Sequence, residues 1–319
     1  ITAVGMKELT RNSIWKGLKE VHVSNKNLTS KGRAELNEAL MWNTGWINIT
    51  NLNLQNCCIG DEGVANCVKN LKGRNLVYLN LSSNKITPQG AIELGRTTQW
   101  ETLQSLNLAD NTIRTEGAAG LSKNTSWKNL KSLNLQNNII LNDGLSELCK
   151  NTTWLNLTAL NLAGNRIHDR GVLSLCTNSQ WKKLESLFLD NNAIADQGAA
   201  ELSKTTWNNL KTLSLLKNQI GLKGAKCLAS SIIGLGLKVR NLELRSYSEV
   251  EFGIAKDNDD SEIPLENSIN LGCVSSGLGE IFELTTSPKL NELHTLNLRN
   301  IELTDKDAIS LSKSVTLTH

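Results

Sequence analysis

Residues 103–113 read Leu103-Gln104-Ser105-Leu106-Asn107-Leu108-Ala109-Asp110-Asn111-Thr112-Ile113, and the chain then runs through Gly117, Ala118 and Leu121 to Trp127. At Leu130 the same order begins again with Leu133, Leu135, Asn138, Ile140, Gly144, Leu148 and Trp154, so the unit advances by 27 residues, from 103 to 130. It has two halves. In Leu106-Asn107-Leu108, apolar and polar side chains alternate with a period of two, which predicts a short strand that buries its leucines and presents Asn107 to solvent. Gly117, Ala118 and Leu121 place small and apolar residues at helical spacing, which predicts a helix packed behind that strand.

Working outward, units open at Leu76, Leu103, Leu130, Leu157, Leu184 and Leu210, with Asn84, Asn111, Asn138, Asn165, Asn192 and Asn218 in their ninth position. Upstream, Leu18 and Ile49 open two more, with Lys26 and Cys57 in the asparagine column. Residues 1–17 match the second half of an earlier, truncated unit, and residues 18–245 are the regular repeats. Residues 246–264 form an acidic insertion whose Asp257, Asn258, Asp259 and Asp260 lack the glycine and glutamate spacing of an EF-hand calcium loop. We read it as a solvated segment, with no metal site.

Residues 265–319 are irregular repeats. From Pro264, the residues Leu265, Ile269, Val274, Leu278, Ile281 and Phe282 fit a helix with proline in its first turn. A degenerate repeat through Ile269 and Leu271 is the competing reading, because Val239 and Leu293 lie 54 residues apart, two unit lengths. The last unit opens at Leu293 with Leu296 and Leu298, and a helix is expected near Ser314.

The expected fold is therefore α/β, one solenoid of about ten units across residues 1–319. Strands stack about 4.8 Å apart while helices need about 8–10 Å, so such an array bends into a horseshoe with a concave parallel β-sheet and convex helices. The asparagine column is expected to satisfy backbone groups where the chain leaves each strand. Seven of the eight tryptophans (15, 46, 100, 127, 154, 181 and 207) lie three residues before the apolar residue that opens a unit, which predicts a stacked spine of rings.

The pattern Leu-x-x-Leu-x-Leu-x-x-Asn-x-Ile followed by Gly-Ala-x-x-Leu resembles the leucine-rich repeats of the ribonuclease-inhibitor type. The helical part, as in Gly90/Ala91/Leu94 and Gly198/Ala199/Leu202, is also similar to the GALA subgroup of bacterial effector proteins. Gly144/Leu145 and Gly171/Val172 depart from that subgroup's pattern, and no F-box-like segment precedes the repeats. The resemblance implies a protein-binding horseshoe that acts as an inhibitor or as an adaptor for ubiquitin or signalling machinery, without chemistry of its own. A structural or adhesive role is the reading from a different class.

Composition agrees with a binding role. The net charge of +3 is small and dispersed, which argues against nucleic acid as a partner. No run of 18 apolar residues marks a membrane span. Seven cysteines without a CxxC pair point to free thiols and a reducing compartment, the cytoplasm, including that of a host cell into which an effector is delivered. The Asn-x-Ser/Thr triplets at Asn80 and Asn124 follow from the Asn/Thr-rich repeat rather than from glycosylation. None of His22, His168, His294 and His319 stands beside a nucleophile and an acidic residue, so no enzyme and no cofactor is expected, and the chain is expected to be monomeric when alone.

Binding residues should be those that depart from the repeat's own default on the solvent side of the sheet. Between the inward leucines that default is asparagine: Asn53, Asn80, Asn107, Asn134, Asn161 and Asn297. His22, Phe188, Ser214 and Glu243 break it, and three of the four are late. Flanking positions show the same bias, with Asp190, Leu216, Lys217, Arg245 and Arg299 late and Tyr78 the main early exception. An aromatic beside leucine with a charged rim is the composition of an interface centre, so a folded protein partner is expected on the concave face around Phe188.

Overall fold

The structure, a computed structural model, describes residues 17–23, 30–41, 48–71, 75–205, 207–221, 223–224, 227–228, 241–246, 268–272 and 295–297. It is an α/β solenoid whose chain falls into two compact units. Unit one comprises Ile1–Ile167 and Thr177–Leu184; unit two comprises His168–Cys176 and Glu185–His319. The truncated first repeat before Gly17, the insertion from residue 247 to 264, Arg299 and the helix expected near Ser314 lie outside the described residues.

In unit one, strands and helices alternate as β1 (Glu20–His22), α1 (Ser30–Met41), β2 (Asn51–Asn53), α2 (Gly60–Asn70), β3 (Tyr78–Asn80), α3 (Pro88–Arg96), β4 (Ser105–Asn107), α4 (Arg114–Leu121), β5 (Ser132–Asn134), α5 (Leu141–Leu148) and β6 (Ala159–Asn161). The strands pair in parallel and in chain order, with Leu52 opposite Leu79, Leu79 opposite Leu106, Leu106 opposite Leu133 and Leu133 opposite Leu160. These leucines, together with Leu54, Leu81, Leu108, Leu135 and Leu162, are at most 1% exposed, so the alternation of period two becomes continuous buried rows.

Three kinds of cross-repeat bond lock the rows. The first is the asparagine column: Asn165 donates through Nδ2 to the carbonyls of Leu135 (2.9 Å), Leu162 (2.9 Å) and Ala163 (3.1 Å), and its Oδ1 accepts from the N–H groups of Asn138 (3.0 Å) and Ile140 (3.2 Å). Asn84, Asn111 and Asn138 bond in the same way. Where Cys57 replaces asparagine, its thiol donates to the carbonyl of Val23 (2.9 Å), and its own N–H is received by Asn84. The second is a column that sequence reasoning did not find. Asn124 and Asn151 each donate to carbonyls of the preceding repeat and accept the N–H of the tryptophan three residues on (3.0 Å in both). Asn124 is 1% exposed, so its triplet is a packing feature rather than a glycosylation site. The third is a carboxylate at the start of α2, since Asp61 accepts the N–H of Thr87 (2.8 Å), the residue that caps α3.

Three rings of the predicted spine stack in unit one, while Trp100 directs its Nε1–H to the carbonyl of Leu71 (3.1 Å), and Trp15 and Trp46 lie outside the described residues. Trp127, Trp154 and Trp181 are buried and stack in sequence, with centroids 6.4 Å apart and interplanar angles of 17° and 16°. Helices α3 and α4 touch backbone to backbone, because a Cβ on Gly95 would stand 2.1 Å from the carbonyl oxygen of Gly120.

In unit two the elements are α6 (Asp169–Cys176), β7 (Ser186–Phe188), α7 (Asp196–Leu202), β8 (Thr212–Asn218), β9 (Asn241–Ser246), β10 (Ser268–Gly272) and β11 (Thr295–Asn297). These strands too pair in parallel and in chain order. The helical reading of the stretch from Leu265 is wrong over 268–272, which form β10. Ile269 and Leu271 alternate at period two in register with Leu242 and Leu244, and Ile269 again with Leu296, so pairing on both sides overrides the local helical spacing. Asn270 thereby joins the column that contains Asn297.

Two thiols are expected to make stability fall at high pH. Burial, with a smaller contribution from Cys57, pushes the Cys67 thiol up from 9.0 to about 12. Burial and then Glu201 do the same to Cys176, against the opposing charge of Lys204, also to about 12. Between pH 9 and about 12 the unfolded chain releases thiol protons that the folded chain retains, so stability is full below 9 and lost above it, by up to about 1.4 kcal/mol per pH unit for each thiol. Urea midpoints measured from pH 8 to 11 should decline less steeply in the Cys67→Ala, Cys176→Ala double variant than in the parent.

Candidate protein-binding surface

The solvent side of each sheet is built from the residues that alternate with the buried leucines. In unit one, register aligns Glu20, Asn51, Tyr78, Ser105, Ser132 and Ala159 in one column and His22, Asn53, Asn80, Asn107, Asn134 and Asn161 in the next. The second column shows why asparagine is its default. Asn53, Asn80, Asn107, Asn134 and Asn161 each use Oδ1 to accept the N–H two residues on, at 3.0 Å, closing the turn out of the strand. This turn needs a left-handed residue, and Asn56, Ser83, Asp110, Asn137 and Gly164 supply it with φ between 55° and 67°.

In unit two, the corresponding column runs Phe188, Ser214, Glu243, Asn270 and Asn297. Phe188 and Ser214 cannot supply the amide oxygen, and at Ser214 the sheet compensates through Asp190. Its Oδ1 accepts the N–H of Leu216 (2.8 Å) and the hydroxyl of Ser214 (2.5 Å), closing from the neighbouring strand the turn that an asparagine at 214 would have closed from within. Asp190 thus supports the sheet, and the pairing of an aspartate at 190 with a serine at 214 was the signal in the sequence that would have revealed it.

The sequence-selected residues fall into two groups. Phe188, Asp190, Leu216 and Lys217 come together on β7 and β8 and the turns that follow, with Phe188 and Leu216 half-buried and Lys217 exposed. Lys217 holds φ of 54°, at a place where other repeats use asparagine, serine, aspartate or glycine, a conformation that costs a lysine about 1 kcal/mol. Backbone register sets Glu243 beside Ser214 and Arg245 beside Gly272, which continues the group along β9 and β10. Tyr78 stands apart, half-buried on β3 of unit one. Of the histidines, His22 is exposed with Nε2 3.8 Å from Glu20 Oε2, and His168 is exposed.

Among the described residues no cluster of three or more His, Cys, Asp or Glu has the geometry to hold a metal ion, and no helix is long and apolar enough to cross a membrane. The described cysteines 57, 58, 67, 149, 176 and 227 are free thiols.

Five segments, residues 47–66, 74–95, 101–122, 155–176 and 208–229, match the family model described as Leucine Rich repeat. The chain carries leucine-rich repeats. The leucine-rich repeats that open at Leu130 and Leu184 fall between the matched segments, and they keep the same leucines, asparagines and strands. No curated protein matches the chain. Leucine-rich repeats are in general a protein-interaction scaffold rather than a catalytic one, and they typically bind protein partners.

Proposed function

We propose that this chain is a non-enzymatic scaffold that captures a folded protein partner on the open sheet face of unit two, with Phe188 as its anchor. The observation that carries this reading is the replacement of the ladder asparagine by Phe188. It removes the amide that elsewhere closes the turn out of the strand, while the turn after the next strand, where Ser214 stands, is closed by Asp190. A half-buried ring on β7, with Leu216 and Lys217 at the end of β8 and Glu243 and Arg245 along the sequence of β9, has the composition of an interface centre and its charged rim. Preorganised strands lose little entropy on binding, so occlusion of a partner's functional surface is the mechanism we favour, as an inhibitor or a bacterial effector acting in a reducing cytoplasm. That finer reading rests on the resemblance to ribonuclease-inhibitor and GALA repeats and on the free thiols.

The test is an affinity capture run in parallel with the parent chain and with Phe188→Ala, followed by calorimetric titration of whatever the parent retains. An anchor residue contributes about 2 kcal/mol or more, so Phe188→Ala should weaken the partner about 30-fold or more. Arg245→Ala, on the rim, should weaken it less and mainly at low salt. Unchanged affinity in Phe188→Ala would remove unit two's face from the proposal.

A further inference from the structure

Unit one carries a second face whose chemistry differs from that around Phe188. In the column of β2 to β5, each of Asn53, Asn80, Asn107 and Asn134 gives its Oδ1 to its own turn, and among the described residues their Nδ2 groups meet no acceptor, with Asn80 buried at 5% exposed and the other three half-buried. The column is therefore a row of amide donors at the strand spacing of about 4.8 Å. Beside it run Asn51, Tyr78, Ser105, Ser132 and Ala159, so the row of donors is flanked by hydroxyls and by one half-buried aromatic ring. On strands β2 to β6 and in the two residues that turn out of each, Asp110 is the one charged residue, with Lys85 and Lys131 exposed at the margins, and Asp110 accepts a hydrogen bond from Asn137 (2.8 Å).

We infer that this face binds a neutral polyhydroxylated chain, that is, an oligosaccharide without carboxylate or sulfate groups. Unpaired amide donors call for acceptors, and sugar hydroxyl and ring oxygens supply them densely along a chain. A tyrosine ring offers the flat apolar surface on which the C–H face of a pyranose rests, with a polar edge left for hydroxyls. Charge decides against the alternatives. Phosphate- or sulfate-bearing polymers need a basic stripe, which these strands lack, and they would meet Asp110 and, next to Asn51, Glu20. Five strands span about 19 Å, room for an oligosaccharide of several residues rather than a single sugar.

Two variants test this without disturbing the fold. Tyr78→Ser installs the residue that Ser105 and Ser132 already place in the same column. Asn107→Asp with Asn134→Asp keeps an oxygen to accept the N–H groups of Ala109 and Gln136 and exchanges the donors for negative charge. Calorimetric titration of the full chain with cellohexaose and with chitohexaose should give measurable binding to at least one of them, weakened about tenfold or more in each variant. A sulfated heparin hexasaccharide should not bind. The proposal is overturned if neither neutral hexasaccharide binds, if binding is the same in both variants, or if the sulfated sugar or an extended peptide binds more tightly than the neutral ones. Phe188→Ala should leave the sugar affinity unchanged, which keeps this test independent of the protein-binding proposal.

Discussion

Asn165→Ala is expected to lower the unfolding free energy by about 4 kcal/mol or more, beyond the range of ordinary point substitutions. The side chain is fully buried and makes five hydrogen bonds with backbone groups, three as donor and two as acceptor. Alanine would leave those carbonyls and N–H groups without their partner, at about 1–3 kcal/mol each before relaxation. The loss would also reach two repeats at once, because Leu135 and Asn138 belong to the preceding one. Asn165→Cys should recover part of it, since Cys57 already holds this column with a thiol donating to a carbonyl. Urea denaturation of the three proteins measures both differences, and a loss below about 1 kcal/mol in the alanine variant would show that the ladder is not what holds the turns.

The second large effect is expected at Gly95. A methyl group there would meet the carbonyl oxygen of Gly120 at 2.1 Å, its carbon at 2.5 Å and the nitrogen of Leu121 at 3.0 Å, all of them backbone atoms that no rotamer change can move. Helices α3 and α4 would have to separate, loosening Ala91, Leu94, Ala118 and Leu121, each of which is 0% exposed. Overpacking of this kind costs about 3 kcal/mol. Gly60→Ala is the informative control: Gly60 has φ of 60° and nothing within 4 Å of an added Cβ, so it should lose only the backbone preference, about 1 kcal/mol. If the two variants unfold at the same urea concentration, the close approach of α3 and α4 is not the source of the effect.

These two sites also show what could and could not be read without coordinates. Asn165 was legible because a side chain that recurs every 27 residues in a buried register must satisfy the same backbone groups each time. The leucine rows and the tryptophan spine followed from the same periodicity. Gly95 was not legible, since its importance comes from the distance between two helices, and sequence spacing does not report that distance. Asn124 and Asn151 were not legible for a different reason: an Asn-x-Ser/Thr triplet follows from the repeat's composition alone, and spacing does not show that each asparagine receives the N–H of the tryptophan three residues later. At β10, two readings of one stretch were open, and pairing with β9 and β11 selected the strand. Of the candidate surface, Phe188 and Leu216 stood out by breaking the repeat's default. The support that Asp190 gives was hidden, because a carboxylate reaching to the next strand looks in the sequence like one more rim charge.

The tryptophan column also gives the protein a built-in optical signature. Trp127, Trp154 and Trp181 lie 6.4 Å apart in near-parallel stacking, and among the described residues their Nε1–H groups have no hydrogen-bond partner. Indoles so close and so aligned couple their electronic transitions, so the near-ultraviolet circular dichroism of unit one should exceed that of three isolated rings. Excitation should pass from ring to ring before emission. The signal depends on three successive repeats being in contact, so it would fade when the stack opens even while each helix stays wound, reporting on the joints of the solenoid separately from its parts.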